Sequence, residues 1–315
     1  MSLESTPCTT EKNHKKRSTI RVYQQLMLDQ VTIAATGFKG PEGVTVDRDG
    51  NVYGGGTDGV IRKLSPDGTV TELARTGGRP AGMALDRQGH LFVCDVGKAA
   101  VLKVTPSGAV SMFADQVGNL KLTLPNFPVF DAEGNLYVSN STDHVLSSLE
   151  EVMAEIRTPV PKGTLVRLRP DGRGEVIATG LYFANGTAID PREEAVYVLQ
   201  STQNNCVRVA KRKDGTFGKP EGYGENLGGL PDGMAFDAEG YLIITLPMIN
   251  RLVVLAPNGK LSLLLDDPEG TKTKGPTNCA FGGPQFTELY LAHLEADHIA
   301  KVELGRKGHP LYDRR

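Results

Sequence analysis

Six short segments of the 315-residue chain share one form: Gly40-Pro41-Glu42-Gly43, Arg79-Pro80-Ala81-Gly82, Leu124-Pro125-Asn126-Phe127, Phe183-Ala184-Asn185-Gly186, Leu230-Pro231-Asp232-Gly233 and Gly275-Pro276-Thr277-Asn278. Their third residues are Glu42, Ala81, Asn126, Asn185, Asp232 and Thr277, so four of the six carry a carboxylate or amide oxygen and two are anionic. Brought together, such oxygens suit one hard divalent cation. Ca²⁺ comes first, at Ca–O distances of roughly 2.3 to 2.6 Å, with Zn²⁺, Mn²⁺ or Mg²⁺ as alternatives. A cation held by three or four protein oxygens keeps positions open, so it polarises a carbonyl or phosphoryl oxygen and lowers the pKa of a bound water. Asp232 beside it would accept a proton from attacking water or attack the substrate itself, and residue type leaves both roles open. Asn or Asp after Pro also caps turns, but that role would be served equally well in every copy, whereas this column varies.

The elements that must position these groups follow from the same segments. Positions 42, 81, 126, 185, 232 and 277 are separated by 39, 45, 59, 47 and 45 residues. Five residues past the anchor stand Asp47, Asp86, Asp131, Asp190 and Asp237, and eight past it Gly50, Gly89, Gly134 and Gly240, an Asp-x-x-Gly turn between two strands. Alternating second strands follow, such as Leu136-Tyr137-Val138 and Leu242-Ile243-Ile244, then a third and fourth strand separated by turns such as Pro170-Asp171-Gly172. Four strands per repeat of about 45 residues predict an all-β fold, a six-bladed β-propeller with four antiparallel strands per blade. The sixth repeat has three strands of its own, so Val31 to Ala35 is expected to supply its outer strand and close the ring.

Innermost strands line a propeller's channel, which places the six anchors around its mouth. The second-to-third loops should face the same mouth with Asp58, Asp95, Asn140, Ser141, His144, Gln200, Asn204, Asn250, His293 and Glu295. His144 and His293 are the candidate proton-transfer groups among them. The long third interval holds a helical insertion at about 143–160, ended by Pro159 and Pro161, with Val145, Leu149, Val152, Met153 and Ile156 on one stripe. This helix should overhang the mouth, either packed on the rim or covering substrate.

Thirty-five Lys plus Arg against 37 Asp plus Glu, a net charge of −2, argue against nucleic acid as the main ligand. No stretch approaches the roughly 18 apolar residues of a membrane helix, and residues 1–20 are polar, so the chain is read as cytoplasmic, a flexible tail (1–20) preceding one propeller domain (21–315). The tail's basic run His14-Lys15-Lys16-Arg17 reads as a solvated charge run. Cys8, Cys94, Cys206 and Cys279 lack metal or redox spacing, and the last three sit in apolar runs as core residues. Oligomeric state is not legible.

The segments Gly40-Pro41-Glu42-Gly43, Phe183-Ala184-Asn185-Gly186 with Asp190, Leu230-Pro231-Asp232-Gly233-Met234 and Pro276-Thr277-Asn278-Cys279-Ala280-Phe281-Gly282-Gly283 make the chain resemble the senescence marker protein (regucalcin), gluconolactonase and luciferin-regenerating enzyme family. The resemblance runs from about residue 30 to the end. It implies one catalytic divalent metal on Glu42, Asn185 and Asp232, Asn126 near metal and substrate, and hydrolysis of lactones or related esters with Asp232 as base. Sugar-lactonase members carry an Arg two positions before the substrate-side Asn and an acidic residue after it. Here those positions are Leu124 and Phe127, an apolar wall that implies a substrate less polar than gluconolactone. The stretch Gly163 to Leu168 leading to Gly180–Gly186 is similar to strictosidine synthase-like propellers, whose condensation chemistry uses a last-blade Glu, a region occupied here by Glu295. The readings carried forward are therefore a metal-dependent lactonase or esterase acting on a small molecule, with Leu124, Phe127, His144, His293 and Glu295 around its substrate. The alternatives are a condensing enzyme, and a non-catalytic calcium- or partner-binding propeller, which the absence of Trp and an aromatic share of 6% disfavour.

Overall fold

The computed structural model describes residues 23–315, with the side chain of Leu149 excepted; the N-terminal tail and Cys8 lie outside the described residues. Six four-stranded antiparallel sheets are arranged as blades. From the innermost strand outward, blade one is Gly43–Val46, Val52–Gly55, Val60–Leu64 and Val70–Arg75, and blade two is Pro80–Leu85, Leu91–Asp95, Ala100–Val104 and Val110–Ala114. Blade three is Pro125–Phe130, Leu136–Asn140, Gly163–Leu168 and Gly174–Leu181. Blade four is Ala184–Ile189, Ala195–Gln200, Asn205–Ala210 and Glu221–Gly224, and blade five is Met234–Phe236, Leu242–Leu246, Arg251–Leu255 and Leu261–Asp266. Blade six is Pro276–Gly282, Glu288–His293 and His298–Glu303, completed by the N-terminal strand Thr32–Thr36, in which Ile33 faces Ala300. Closing the ring in this way leaves no blade short of an outer strand.

The core is divided into six layers, one between each pair of neighbouring blades. Successive side chains on a strand point to opposite faces, so each second strand feeds two layers. Leu242 and Ile244 enter the layer shared with blade four, and Ile243 the layer shared with blade six. Both faces are buried, which is why these strands are largely apolar. Cys94, Cys206 and Cys279 are free and buried in these layers.

The recurrent aspartates serve the turns. Asp47 Oδ1 accepts the N–H groups of Asp49 (2.9 Å) and Asn51 (2.8 Å), and Asp86, Asp131 and Asp237 repeat the pattern. The following Gly50, Gly89, Gly134 and Gly240 have φ near +80°, a conformation that favours glycine.

One expectation is corrected. The helix of blade three spans Leu149–Arg157 rather than starting at Asp143. Ser148 and Glu151 form a reciprocal capping box that fixes its first turn, the Ser148 hydroxyl accepting Glu151 N–H at 3.2 Å. The preceding residues are therefore not helical, Val145 is 53% exposed, and Leu146 is buried in its place. The residues after blade six form a plug. His309 N–H donates to Phe236 O at 3.0 Å, the Tyr312 ring lies 5.3 Å from Phe130, and Arg314 donates to the carbonyls of Val46 and Asp47. Only a small cavity of about 70 Å³ is left between this segment and the channel. Among the described residues no helix is long and apolar enough to cross a membrane.

Candidate functional site

The six anchors meet at the opposite end of the channel because the inner strands approach one another very closely there. The glycine after the anchor abuts the next blade's anchor carbonyl in four blades: Gly43 on Ala81, Gly82 on Asn126, Gly186 on Asp232 and Gly233 on Thr277. A Cβ built on Gly43 would lie 2.1 Å from Ala81 O, and one on Gly186 2.4 Å from Asp232 O, so only glycine admits the contact. Gly186 N–H also donates to Asp232 O at 2.7 Å, tying the Asn185 segment to the Asp232 segment through backbone alone. In blade six Thr277 Oγ1 donates to Glu42 O at 2.8 Å across the closure. The anchor backbones are thus fixed, and the side chains of Glu42, Asn126, Asn185, Asp232 and Thr277 are left to the cavity.

The two anchor amides are aimed by the same device. Asn185 Nδ2 donates to Ser201 Oγ (3.2 Å), whose own hydrogen goes to Pro231 O (2.7 Å); Asn126 Nδ2 donates to Ser141 Oγ (3.4 Å), whose hydrogen goes to Ala184 O (2.8 Å). Each serine bridges its amide to the following blade, and the amide oxygens are turned away from these bonds. Among the described residues Asn185 Oδ1 is buried with no hydrogen-bond partner. A buried acceptor without a donor is costly, and a bound cation would resolve it.

The carboxylates give the same signal. Burial and the neighbouring charge of Glu42 push the Asp232 carboxyl well above its ordinary range, with Asn185 a smaller opposing influence. Burial likewise raises Glu42, and the Arg79 guanidinium opposes it. Two carboxyls whose charged forms repel each other inside a cavity, beside an orphaned amide oxygen, form a donor set that fits a hard divalent cation.

Glu42, Asn126, Asn185, Asp232 and Thr277 open into one cavity of about 730 Å³. Its walls are largely apolar: Val96, Leu124, Phe183 and Leu230 from the blades, Val152, Met153 and Ile156 from the helix, and Met248 from the blade-five loop. The helix does overhang the mouth, packing Val152 and Ile156 onto a cluster of Ala81, Val96, Leu124, Leu146 and Phe183. It is both packed and part of the cavity wall.

Of the five expected substrate contacts, Leu124 and Glu295 line this cavity. Phe127 does not: after an irregularity between Pro125 and Pro128 it lines the small cavity at the plugged end. His144 stands outside on the surface, paired with Asp143 (2.9 Å) and Glu155 (3.5 Å). His293 is fully buried, its ring against His298, and burial followed by the field of His298 holds it near a pKa of about 3. Neither histidine reaches the cavity, which removes both as proton-transfer candidates there. Glu295 is at the rim, 57% exposed and 3.9 Å from Lys274 Nζ, an exposed ion pair rather than a buried base.

The other loop residues are hooks for the chain. Asp95, Asn140 and Gln200 accept the N–H groups of Arg79, Leu124 and Tyr182, which precede the inner strands. Asn204 and Asn250, with φ of 53° and 52°, accept those of Gly229 and Gly275. Asp58 is tied up by Arg62. Sequence reasoning missed Ser201 and Arg79, both in the cavity wall. Ser201 follows Gln200 as Ser141 follows Asn140, so the repeat phase contained the signal.

Comparisons with known proteins bear on the family and the fold. The family described as SMP-30/Gluconolactonase/LRE-like region matches residues 107–294, and a strictosidine synthase-like N-terminal region matches residues 25–64. The chain is 27% identical to a gluconolactonase of Zymomonas mobilis over 279 residues, 80% of this chain and 76% of that one. It is also 27% identical to the Arabidopsis thaliana protein strictosidine synthase-like 7 over 216 residues, 66% of this chain and 56% of the relative. A crystal structure of a calcium-binding protein, regucalcin, from Agrobacterium tumefaciens superposes with a TM-score of 0.70 at 17% identity, covering 89% of this chain and 95% of that one, a likeness of fold.

Proposed function

Because the chain belongs to the SMP-30/gluconolactonase/LRE-like family, we propose that it is a hydrolase that opens a lactone or related ester with the aid of one divalent cation. The observation that carries the reading is the convergence of Glu42, Asp232 and the partnerless Oδ1 of Asn185 in one cavity. Glu42, Asn185 and Asp232 would hold the cation, with Asn126 as a fourth ligand or a substrate contact. Ca²⁺ is the first choice, as the donors are all oxygen. When bound, the ion supplies Lewis acidity toward the substrate carbonyl and balances the two carboxylates.

Asp232 takes the proton of the attacking water, from a main chain held by Gly186 N–H at 2.7 Å. Asn126, fixed by Ser141, orients the substrate or ion from the neighbouring blade. Leu124 and the helix residues Val152 and Ile156 exclude water from one side. With Leu124 where a sugar-gripping arginine would stand, the acyl chain or ring substituent is less polar than that of gluconolactone.

The test is binding of Ca²⁺, Zn²⁺, Mn²⁺ and Mg²⁺ to wild type and Glu42→Gln, with pH-stat hydrolysis of sugar lactones, hydrophobic lactones and aryl esters. Stoichiometric metal binding and metal-dependent turnover, both lost in Glu42→Gln and highest on the hydrophobic lactones, are expected. Tight binding with no turnover would move the assignment to a binding propeller, and no binding would remove the metal.

A further inference from the structure

One charged group in the mouth cavity has no task in the hydrolysis. Arg79 lies two residues before the blade-two anchor Ala81, and its backbone is pinned on both sides. Its N–H donates to Asp95 Oδ1 at 2.8 Å, and its carbonyl accepts Val96 N–H at 3.0 Å. The side chain lines the cavity together with Glu42, Leu124 and Asn126. Among the described residues its guanidinium has no hydrogen-bond or ion-pair partner, and Nε is buried without an acceptor. Asp95 Oδ2, also buried and partnerless, does not bridge to it. A guanidinium offers five donors in a rigid fork matched to a carboxylate, so this half-buried one, lining an apolar-walled cavity, is suited to an anionic ligand.

The charges point the same way. On the hydrolase reading, on which this inference rests, a dication balances Glu42 and Asp232. Glu295 is already matched at the rim by Lys274. Arg79 is then the excess positive charge of the cavity.

We propose that Arg79 is a receptor for an anionic group on the substrate, and that the substrate is a lactone bearing a carboxylate at the end of an apolar arm. The lactone carbonyl sits toward Glu42 and Asp232, the carboxylate pairs with the guanidinium, and the arm lies against Leu124, Val96 and the helix. A guanidinium enters the mouth two residues before the blade-two anchor, the offset at which blade three carries Leu124.

The experiment compares a γ-lactone carrying a terminal carboxylate on a short alkyl chain with its methyl ester, for wild type, Arg79→Gln and Arg79→Lys. Calorimetry of adipate and hexanoate binding to the same Ca²⁺-loaded proteins gives a readout that needs no turnover. Wild type is expected to favour the acid over the ester in kcat/KM, and adipate over hexanoate, by roughly 10- to 100-fold, the range of a charge-assisted hydrogen-bonded pair. Arg79→Gln should abolish both preferences, with the kinetic change in KM, and Arg79→Lys should restore part of each. Lactone hydrolysis without preference for the acid overturns this inference and leaves the hydrolase standing. So does an Arg79→Gln protein that binds Ca²⁺ more tightly with its preferences unchanged, since Arg79 would then serve only to offset Glu42. If no lactone is hydrolysed the hydrolase reading fails, while the adipate preference and its loss in Arg79→Gln still decide the role of Arg79.

Discussion

Ser201→Ala separates the aiming of a metal ligand from the stability of the fold. The hydroxyl accepts from Asn185 Nδ2 at 3.2 Å and donates to Pro231 O at 2.7 Å, in a residue only 3% exposed. Its removal strands a buried donor and a buried acceptor at about 1 to 3 kcal/mol each before water re-enters, so a net loss of about 2 kcal/mol is expected. At roughly 2 to 4 °C per kcal/mol for a chain of this size, the metal-free melting temperature falls by about 4 to 8 °C. Asn185 also loses the bond that turns its Oδ1 into the cavity, and loss of such an outer partner weakens metal binding by roughly 10- to 100-fold. At a Ca²⁺ concentration about 100 times the wild-type Kd, the ion stabilises wild type by about 2.7 kcal/mol; a 30-fold weaker Kd leaves about 0.9 kcal/mol. Calorimetric Ca²⁺ titration, with melting curves in chelator and in Ca²⁺, measures both effects. A Ser201→Ala protein that melts lower yet binds Ca²⁺ within twofold of wild type would refute the claim that Ser201 positions Asn185 as a ligand. Ser141→Ala is the internal comparison. If it leaves Ca²⁺ affinity alone and raises KM, Asn126 contacts substrate; if it weakens Ca²⁺, Asn126 is a ligand.

Gly186→Ala would place a methyl group 2.4 Å from Asp232 O and 3.1 Å from Gly233 Cα, so the blade-five anchor must move; Ca²⁺ affinity should fall roughly 10-fold or more in a folded protein, and calorimetry giving a wild-type Kd would count against the close-approach argument. Without metal, Asp232 and Glu42 have folded-state pKa values raised by burial, so their contribution favours folding while they are protonated and is lost as pH rises through the raised values. Metal-free melting temperature should therefore decline above the ordinary carboxylate range, less steeply in Glu42→Gln, and Ca²⁺ should cancel the decline; identical profiles with chelator and with Ca²⁺ would contradict this. In the C-terminal plug, burial holds the Asp313 carboxyl up at about 6 against an ordinary 3.8, a penalty of at most about 3 kcal/mol for its charged form. That stability is present below the ordinary value and lost as pH rises through about 6, so Asp313→Asn should melt higher than wild type at neutral pH and flatten this part of the profile. Superimposable melting profiles would show that the plug relaxes around the charge.

The propeller was legible because its information is repeated: anchors, Asp-x-x-Gly turns and apolar second strands recur in phase, so one ambiguous copy is corrected by the others. Val31 to Ala35 could be assigned to blade six because a ring has no free edge. The anchor column was legible for the complementary reason, that residues which break a repeat at a fixed phase are free of its structural duty. Features that occur once were misread. Val145 matched the helical period, but Ser148 with Glu151 starts the helix later, and a local cap overrides a stripe. Phe127 is one residue from Asn126, yet the strand irregularity sends it to the other end of the channel. His293 lies at the end of its strand, where sequence cannot tell a core histidine from a loop one. The plug has no repeat to announce it: Tyr312 packs on Phe130, and Arg314 lies over Phe286 while donating to the carbonyls of Val46 and Asp47.

The two ends of the channel show how one ring separates stability from chemistry. At the plugged end the recurrent turn aspartates all do the same work, and the C-terminal segment seals the hole. At the mouth the conserved physics is in the backbone: four glycines press on four anchor carbonyls, and that contact does not depend on which side chain the anchor bears. The column can therefore hold Glu42, Ala81, Asn126, Asn185, Asp232 and Thr277 without disturbing the packing between blades. An arginine can likewise enter from blade two while leucine occupies the corresponding place in blade three. Substrate choice in such a scaffold is a matter of which blade carries which side chain at a fixed offset, so the position of Arg79 around the ring, relative to the two carboxylates, sets the distance at which an anionic group must stand from the bond that is cleaved.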